Sequence, residues 1–403
     1  MDKNKNVTAN TEKKAPKNKF TAFLEKKDIV FSWKRYFIDA MGAMAHGLFA
    51  SLLIGTIVGT IGSQILAHCP LGADIAALGL TDSAILSRAG EFDLSFIQMI
   101  GLFLNAMGTF AKGVAGPAMA VAIAYVLKAP NLVLFSMLAV GAAANTLGSA
   151  GGPLAVLLIA IVATEIGKMV SKETKVDILV TPLVTIGVGS LLSFAIAPWI
   201  GKAASALGQF IMWATELQPL LMGILVSVVV GIALTLPISS AAICAALSLT
   251  GLAGGAAVAG CCAQMVGFAV MSFKENKFGG LVSQGIGTSM LQMGNIVRNP
   301  KIWIAPILTS AITGPLATCL FKLEMNGAAI SSGMGTCGLV GQIGVYTGWV
   351  NDVAAGTKAA ITPMDWIGLI LISFVLPAVL TFIFGAIESK LGWIKEGDLK
   401  LNS

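Results

Sequence analysis

Charged residues are scarce in this chain. Lysine, arginine, aspartate and glutamate together make up 11% of the 403 residues, whereas 56% are hydrophobic. Soluble domains carry about 25% charged residues, and the mean hydropathy here is +0.85. This composition excludes an ordinary soluble protein and indicates a chain that lies in a lipid bilayer.

Histidine is nearly absent as well, since His46 and His68 are the only two. No Ser-His-Asp arrangement, HExxH motif or catalytic pair of carboxylates stands out, so no catalytic residue is predicted. The six cysteines form neither a disulfide framework nor a zinc-ligand spacing. We therefore expect no cofactor, no nucleic-acid partner and no active site complete within this chain.

The N-terminal residues are not expected to form a signal peptide. Residues 1–39 hold ten Lys or Arg and five Asp or Glu, with no apolar core at the usual distance. We expect residues 1–19 to be a disordered cytoplasmic tail. Residues 20–36 are expected to form either an interfacial helix or a plain positive-inside anchor. The acidic stretch 67–95 then belongs outside, which places the N-terminus in the cytoplasm.

Long apolar runs recur along the chain, and they are continuous rather than alternating, which excludes a membrane β-barrel. The clearest are residues 43–66, 178–199, 220–236, 302–321 and 366–387. The predicted fold is an all-α polytopic membrane protein of about ten helices, some of them half-spans or re-entrant. Its predicted parts are a basic tail and interfacial segment (1–39), a transmembrane domain (40–388) and a short cytoplasmic tail (389–403).

Glycine and proline interrupt several of these runs, at residues 113–117, 148–153, 237–240 and 333–344. Broken backbone at membrane depth is tolerated where it is buried in protein or lines a cavity. The clusters favour a transport site, with close packing of helices through small residues as the alternative. Gly152-Pro153-Leu154-Ala155 recurs as Gly314-Pro315-Leu316-Ala317, each expected to open an apolar run, which suggests an internal repeat.

Uncharged polar side chains recur in residues 284–299 at steps of four, four, three and four, which is the spacing of one face of an α-helix. They are Gln284, Thr288, Gln292, Asn295 and Asn299. Amides both donate and accept hydrogen bonds, so they match a neutral polar molecule in a protected cavity. We expect Gln284, Thr288, Gln292 and Asn295 to bind the substrate.

A second glycine-rich run, residues 333–342, lacks the Lys-Ser/Thr ending of a nucleotide-binding loop. It is better interpreted as a non-helical hairpin or a broken helix. Because residues 285–289 open in the same Gly-x-Gly-Thr style, we expect the two segments to face each other.

Other polar residues lie isolated within apolar segments, where such groups usually face the protein interior. Gln264, Gln342 and Asn145 are further candidates for substrate binding, and His46, Glu165 and Lys112 are candidates for coupling. The alternatives are packing for His46, snorkelling for Lys112 and a simple helical ion pair of Glu165 with Lys168.

Several stretches resemble the membrane-embedded IIC components of the bacterial phosphotransferase system, in the type 2 group that includes perfringolysin-regulator-like proteins. Examples are Asn295-Ile-Val-Arg-Asn-Pro300 and Gly335-Thr-Cys-Gly-Leu-Val-Gly-Gln342. The other matching stretches are residues 46–55, 165–169, 175–184, 260–268 and 287–292. Together they run from the first span almost to the last.

The resemblance implies a homodimer in the bacterial cytoplasmic membrane that carries a sugar inward, while separate IIA and IIB proteins supply phosphate. The Gly-Ile-Thr-Glu-Pro motif of glucose-type IIC proteins is missing, so no sugar-binding carboxylate carries over. The sequence thus predicts a IIC-type carrier of a sugar or similar neutral solute. Two alternatives stay open: a membrane-embedded sensor that binds a ligand without moving it, and a carrier of a soft metal, bound through Cys261 and Cys262, or of another small metabolite.

Overall fold

The computed structural model describes residues 19–401, so the predicted tail lies outside the described residues except for Lys19. This part of the chain is helical and contains no strand, only an isolated bridge between Gly251 and Met325. The helices are α1 (Lys19–Lys26), α2 (Ala40–Leu48), α3 (Ile54–His68), α4 (Ala73–Ala77), α5 (Asp82–Ser87), α6 (Phe96–Gly113), α7 (Ala115–Val126), α8 (Asn131–Gly148), α9 (Gly152–Val170), α10 (Asp177–Thr215), α11 (Pro219–Thr235), α12 (Ser240–Ala246), α13 (Gly251–Met271), α14 (Phe273–Val282), α15 (Met293–Arg298), α16 (Ile304–Pro315), α17 (Val340–Ala354), α18 (Pro363–Ile370) and α19 (Leu376–Lys390).

Within residues 19–401, six helical stretches are long and apolar enough to cross a membrane, and a seventh is the pair α6–α7, bent by 49°. The six are Lys34–His68, Asn131–Val170, Asp177–Thr215, Gly251–Met271, Pro300–Leu320 and Pro363–Lys390. The all-α polytopic membrane fold is therefore confirmed. The first stretch begins at Lys34, inside the segment predicted to precede the transmembrane domain. Lys34 and Arg35 precede the apolar run, but they already belong to the same continuous helix.

Helices α8 and α9 form a hairpin, although their stretch is continuous in hydropathy. Ser149 has a φ of +47°, which reverses the chain between them. Lys168, near the end of α9, donates from Nζ to the carbonyls of Leu127 (2.9 Å) and Asp28 (2.8 Å). The end of α9 therefore returns to the level at which α7 ends.

The N-terminal segment lies at the same level. We call this side of the protein, which carries Arg35, Leu127 and Lys168, the N-face. Arg35 donates to the carbonyl of Leu127 (2.8 Å) and pairs with Asp28 at 2.9 Å. This guanidinium holds the pKa of Asp28 below its ordinary value. The predicted ion pair of Glu165 with Lys168 is present at 3.0 Å, and Tyr36 donates to the same carboxylate.

Helix α13 is the central element of the C-terminal half. All its side chains from Ala253 to Ala269 are buried, because the run is built from Gly, Ala and other small apolar residues. A Cβ on Gly260 would meet the carbonyl of Ser227 on α11, so glycine is required where these two helices touch. The helix starts beside Met325, on the face opposite the N-face, and ends beside Ser272 on the N-face.

Two re-entrant hairpins approach each other from these opposite faces. The first hairpin, residues 273–299, leaves the N-face end of α13 and returns to the N-face, where Gly294 lies against the carbonyl of Ile38. The second hairpin, residues 321–354, starts beside Gly251 on the opposite face and returns there, where Asn326 binds Asp352. The second hairpin contains the glycine cluster at residues 333–344, which predicted a broken element there.

The suggested internal repeat is wrong in one respect. Gly152 and Pro153 do open α9, as expected. Gly314 and Pro315 instead lie at the end of α16 and are followed by a π-turn, Leu316–Leu320. A Gly-Pro pair fits either position, because proline is tolerated in a first turn and also terminates or distorts a helix.

Candidate functional site

The tips of the two hairpins touch in the middle of the protein. Thr336 Oγ1 donates to the carbonyl of Gly285 at 2.5 Å. A Cβ on Gly335 would meet Cys261, the middle residue of α13, and φ is +53° at Gly335. Glycine is thus required both by the backbone conformation and by the close approach. The prediction that the two Gly-x-Gly-Thr segments face each other is confirmed.

A cavity of about 60 Å³ lies beside this junction. Four chain breaks contribute to its wall: Pro153 after the turn of the α8–α9 hairpin, residues 238–241, Gly287 with Thr288, and Met334 with Cys337. Ligand pockets usually measure about 300–1,000 Å³. The cavity therefore holds water-sized molecules only, and the junction is closed to a sugar in this conformation.

The polar atoms at the cavity come from short side chains at helix starts. Thr288 Oγ1 accepts a hydrogen bond from the backbone of Met290, and Ser239 caps α12 by accepting from Ala242. Ser240 Oγ donates to the carbonyl of Gly333 at 2.7 Å. These contacts hold the breaks in α11–α12 and in the second hairpin together, and they leave hydroxyls next to the cavity.

The first hairpin is not one continuous helix, which corrects the prediction for residues 284–299. Ser283–Gly287 is a π-turn, Thr288 is extended with φ −157° and ψ 141°, and Ser289–Gln292 is a 3₁₀ turn before α15. Gly285 and Gly287, just before Thr288, disfavour a helix, so the chain turns here. Thr288 consequently lies at the tip, separate from the amides.

Three of the predicted amides still come together, and we call Gln284, Gln292 and Asn295 the amide cluster. Gln292 Nε2 donates to Gln284 Oε1 at 2.9 Å, and Asn295 Nδ2 donates to Gln292 Oε1 at 2.7 Å. Gln284 Nε2 donates to Ser272 Oγ at 2.8 Å. All three side chains are buried, and the chain of amides runs toward the N-face.

The C-terminal segment, residues 391–401, covers the amide cluster. Gln292 Nε2 donates to the carbonyl of Leu399 and Asn295 Nδ2 to the carbonyl of Lys400, both at 2.9 Å. Asn276 binds the same stretch of backbone, through the carbonyl of Leu399 (2.8 Å) and the N–H of Leu401 (2.9 Å). The amide cluster is therefore occupied by the protein's own backbone.

Asn299, the last member of the predicted stripe, also binds the C-terminal segment. Its Nδ2 donates to the carbonyl of Trp393 (2.9 Å) and to Asp398 Oδ2 (2.8 Å). Next to the segment lies a cavity of about 390 Å³, lined among others by His46, Glu275 and Lys400. His46 is thus exposed at an N-face cavity and does not pack in the core.

The remaining predicted binding residues neither line the cavity at the junction nor hydrogen-bond to the amide cluster, although Gln264 reaches Ser289, next to the tip, through Thr235. Gln264 is fully buried and accepts from Trp303 Nε1 at 2.8 Å. Gln342 is on α17, where its Nε2 contacts Cys262 Sγ at 3.3 Å and its Oε1 has no partner among the described residues. Asn145 lies in the α8–α9 hairpin against Gly116 and Gly152.

Lys112 faces α3, and it shares this face with Asn105. A Cβ on Gly59 would lie 3.6 Å from Lys112 Nζ and 4.0 Å from Asn105 Oδ1. The side chain of Lys112 is exposed, and neither it nor Glu165 is among the residues that line the cavity at the junction.

Cys261 and Cys262 turn toward different neighbours. Cys261 Sγ lies near the carbonyls of Val230 and Ser332, whereas Cys262 Sγ contacts Gln342. Residues 19–401 contain no group of three or more His, Cys, Asp or Glu side chains that could hold a metal ion.

Two features were not predicted from the sequence. Ser239 and Ser240 reach the cavity, and the Pro-Ile-Ser-Ser cluster at residues 237–240 was a usable signal for them. The contact of the C-terminal segment with the amide cluster had no such signal, because a short polar terminus is typical of an unattached tail.

Two opposed hairpins that meet in the middle of a polytopic helical membrane domain are typical of membrane transport proteins. Broken backbone of this kind marks the substrate site in many transporters. The chain belongs to the phosphotransferase system EIIC family, which matches residues 38–401. No curated protein and no solved structure matches the chain.

Proposed function

We propose that this protein carries an unphosphorylated sugar or a similar polyol across the bacterial cytoplasmic membrane, with the hairpin junction as the barrier. The observation that carries this proposal is the contact of the two tips beside the cavity. Each hairpin enters from one face, so withdrawing either tip would open the cavity to that face alone. Alternating opening of this kind moves a solute without forming a continuous pore.

The amide cluster is the proposed polar path on the N-face side of the junction. Its amides now bind carbonyls of Leu399 and Lys400, and a sugar hydroxyl presents the same acceptor to an amide N–H. Once the C-terminal segment moves away, hydroxyl groups of a solute therefore accept the hydrogen bonds that the two backbone carbonyls accept now. Asn145, Gln264 and Gln342 lie apart from this path in the closed form, so we assign them no contact with the solute.

The family supports partner proteins of the IIA and IIB type for any phosphorylation, since the chain offers no catalytic constellation of its own. We place the N-face toward the cytoplasm, where such partners reside, on the basis of the positive N-terminal segment. We also propose a homodimer, in line with the resemblance stated for the sequence.

Thr288→Val tests the junction, because it removes the hydroxyl at the tip while keeping the branched shape. We expect uptake of the transported member of a panel of radiolabelled hexoses and hexitols into proteoliposomes to fall about tenfold or more. A tenfold fall corresponds to about 1.4 kcal/mol, which is the free energy expected for the loss of one hydrogen bond to the hydroxyl at the tip. Thr288→Ser keeps the hydroxyl and should retain most of the uptake.

Equal uptake by Thr288→Val and the unchanged protein would remove the tip from the transport path. Saturable binding of a panel member with no uptake by the unchanged protein would instead favour the membrane-embedded sensor. Copper-dependent signals that require Cys261 and Cys262, with no sugar effect, would favour the soft-metal carrier.

A further inference from the structure

A third cavity lies on the face opposite the N-face, at the open end of the second hairpin. Its volume is about 470 Å³, within the range of about 300–1,000 Å³ that is usual for small-molecule sites. Its wall contains Glu324, Asn326, Trp349, Asp352, Lys358 and Asp365. This cavity is open in the same conformation in which the junction is closed.

The polar groups of this cavity are held in place by one another. Asn326 Nδ2 donates to Asp352 Oδ2 (2.8 Å) and to Glu324 Oε2 (3.2 Å), and its Oδ1 accepts from the N–H of Gly251. Lys358 Nζ binds Asp365 Oδ1 at 2.9 Å. The side chains are therefore preorganised before any ligand arrives, which reduces the entropy lost on binding.

Unused hydrogen-bonding capacity is left at the cavity. Among the described residues, Glu324 Oε1 and Asp352 Oδ1 have no hydrogen-bond partner. The N–H groups of Thr357 and Lys358 both donate to the carbonyl of Asp352 and so shape the rim around it. Trp349 forms part of the wall and is braced edge-on by Trp366 at 5.5 Å.

We infer that this cavity is a reception site for a neutral polyhydroxylated solute, the class that the proposed function transports; the inference rests on that function for its substrate class. Free carboxylate oxygens accept from hydroxyl groups, and lysine and asparagine N–H groups donate to them. Trp349 is buried at the base of the cavity, and the Lys358 ammonium lies over its ring at 5.8 Å, so the solute meets the lysine rather than the indole face.

The charges around the cavity argue against a site for a metal cation. Lys322 and Lys358 stand beside Glu324, Asp352 and Asp365 at the cavity, so most of the carboxylate charge is balanced. Asp365 is also occupied by Lys358 and by Thr362 at the start of α18. A hard divalent cation requires about six or more oxygen ligands, mostly anionic, and lysines at the wall repel it.

The position of the cavity connects it to the junction. Both arms of the second hairpin border it, at Asn326 and at Asp352, and the tip of that same hairpin closes against Gly285. Asn326 also holds the start of α13. A solute bound here thus contacts the element whose withdrawal opens the junction.

The test is isothermal titration of the purified full chain in detergent with unphosphorylated hexoses and hexitols, one at a time. Glu324→Gln with Asp352→Asn keeps the shape of the cavity but replaces the free carboxylate oxygens of both residues by amide groups. We expect the dissociation constant of the binding member to rise about tenfold or more, because a hydroxyl binds an ionised carboxylate more strongly than a neutral amide. Asp93→Asn, an exposed carboxylate outside the cavity, is the matched control and should bind unchanged. If the double variant does not fold, Glu324→Gln alone, at an exposed position, should still weaken binding severalfold.

Uptake in proteoliposomes separates this inference from the proposed function. Binding that depends on Glu324 and Asp352, in a protein that moves no solute, would sustain the cavity and overturn transport. Uptake with an unchanged KM in the double variant would sustain transport and overturn the reception site. A calcium titration that gives heat, where every sugar gives none, would also overturn it, as would the absence of binding by the whole panel.

Discussion

At the scale of single residues, the membrane-embedded polar groups divide into those with partners and those without. Gln284, Gln292 and Asn295 have all found partners, because amides carry both donors and acceptors and can form a chain. Gln342 Oε1 and both carboxylate oxygens of Glu388 are buried and have no hydrogen-bond partner within residues 19–401. A buried polar atom without a partner lowers stability and is retained most often for a functional reason.

Glu388 offers a direct prediction, since it is 4% exposed near the end of the last span. The Glu388→Gln substitution keeps the shape of the side chain and removes the carboxyl group, which is buried without a hydrogen-bond partner in the described part of the chain. We expect the free energy of unfolding to increase by about 1–3 kcal/mol. The measurement is thermal unfolding in detergent micelles, with the exposed Glu396→Gln as the control.

A lower melting temperature for Glu388→Gln than for Glu396→Gln would show that the carboxylate makes a stabilising contact. The backbone N–H of Ala305 on α16 is the candidate donor for such a contact. Helix α16 contains no ionisable side chain, and α13 contains only two cysteines.

At the scale of elements, short breaks rather than long helices form the site. The first hairpin turns at Thr288 and the second at Gly335 and Gly338, where φ is positive. Each break exposes backbone groups that a neighbouring break satisfies, as Thr336 does for Gly285. The hairpins are therefore coupled at their tips and free to separate there.

The C-terminal segment leads to a prediction at this scale. Ending the chain after Lys390 removes the backbone carbonyls that Gln292, Asn295 and Asn276 now bind. With about 1 kcal/mol for each lost hydrogen bond, we expect amide hydrogen exchange in residues 273–299 to accelerate by about tenfold or more. Mass spectrometry of exchanged protein measures this rate.

The Glu396→Ala variant keeps the segment and changes only an exposed side chain, so its exchange should match that of the unchanged protein. Equal protection of residues 273–299 after truncation would mean that the C-terminal segment does not restrain the first hairpin. The proposed exchange of this segment for solute would then lose its support.

At the scale of the whole molecule, the protein has a closed centre and open cavities near both faces. The central cavity of about 60 Å³ compares with about 390 Å³ beside the C-terminal segment and about 470 Å³ on the opposite face. A barrier between two open cavities is the arrangement that alternating access requires. The tips must separate for a solute to pass from one cavity to the other.

A reversible link between the tips tests this motion. Gly285→Cys with Thr336→Cys, in a protein whose six native cysteines are replaced by alanine, places one thiol on each tip. We expect a short bis-methanethiosulfonate reagent to link the hairpins and to abolish uptake into proteoliposomes, and reduction with dithiothreitol to restore it. Each single variant is the control for the reagent itself. Full uptake by the linked protein would exclude tip separation as the transport step.

The sequence alone determined the class of this protein and the helix breaks at residues 113–117, 148–153, 237–240 and 333–344, but not the break at Thr288. Membrane burial imposes long apolar runs, and glycine and proline disrupt helices locally, so both signals can be read without tertiary contacts. The facing of the tips at Gly285 and Thr336 was predicted correctly from repeated Gly-x-Gly-Thr patterns.

Only the tertiary structure decided what the polar residues bind. Spacing brought Gln284, Gln292 and Asn295 onto one side of the first hairpin, but their partners Leu399 and Lys400 lie more than 100 residues further along the chain. Amide groups bind a backbone carbonyl and a sugar hydroxyl equally well, so side-chain chemistry does not specify the occupant. In the closed form the C-terminal segment is the occupant, because Ile394 and Leu399 pack it against the core.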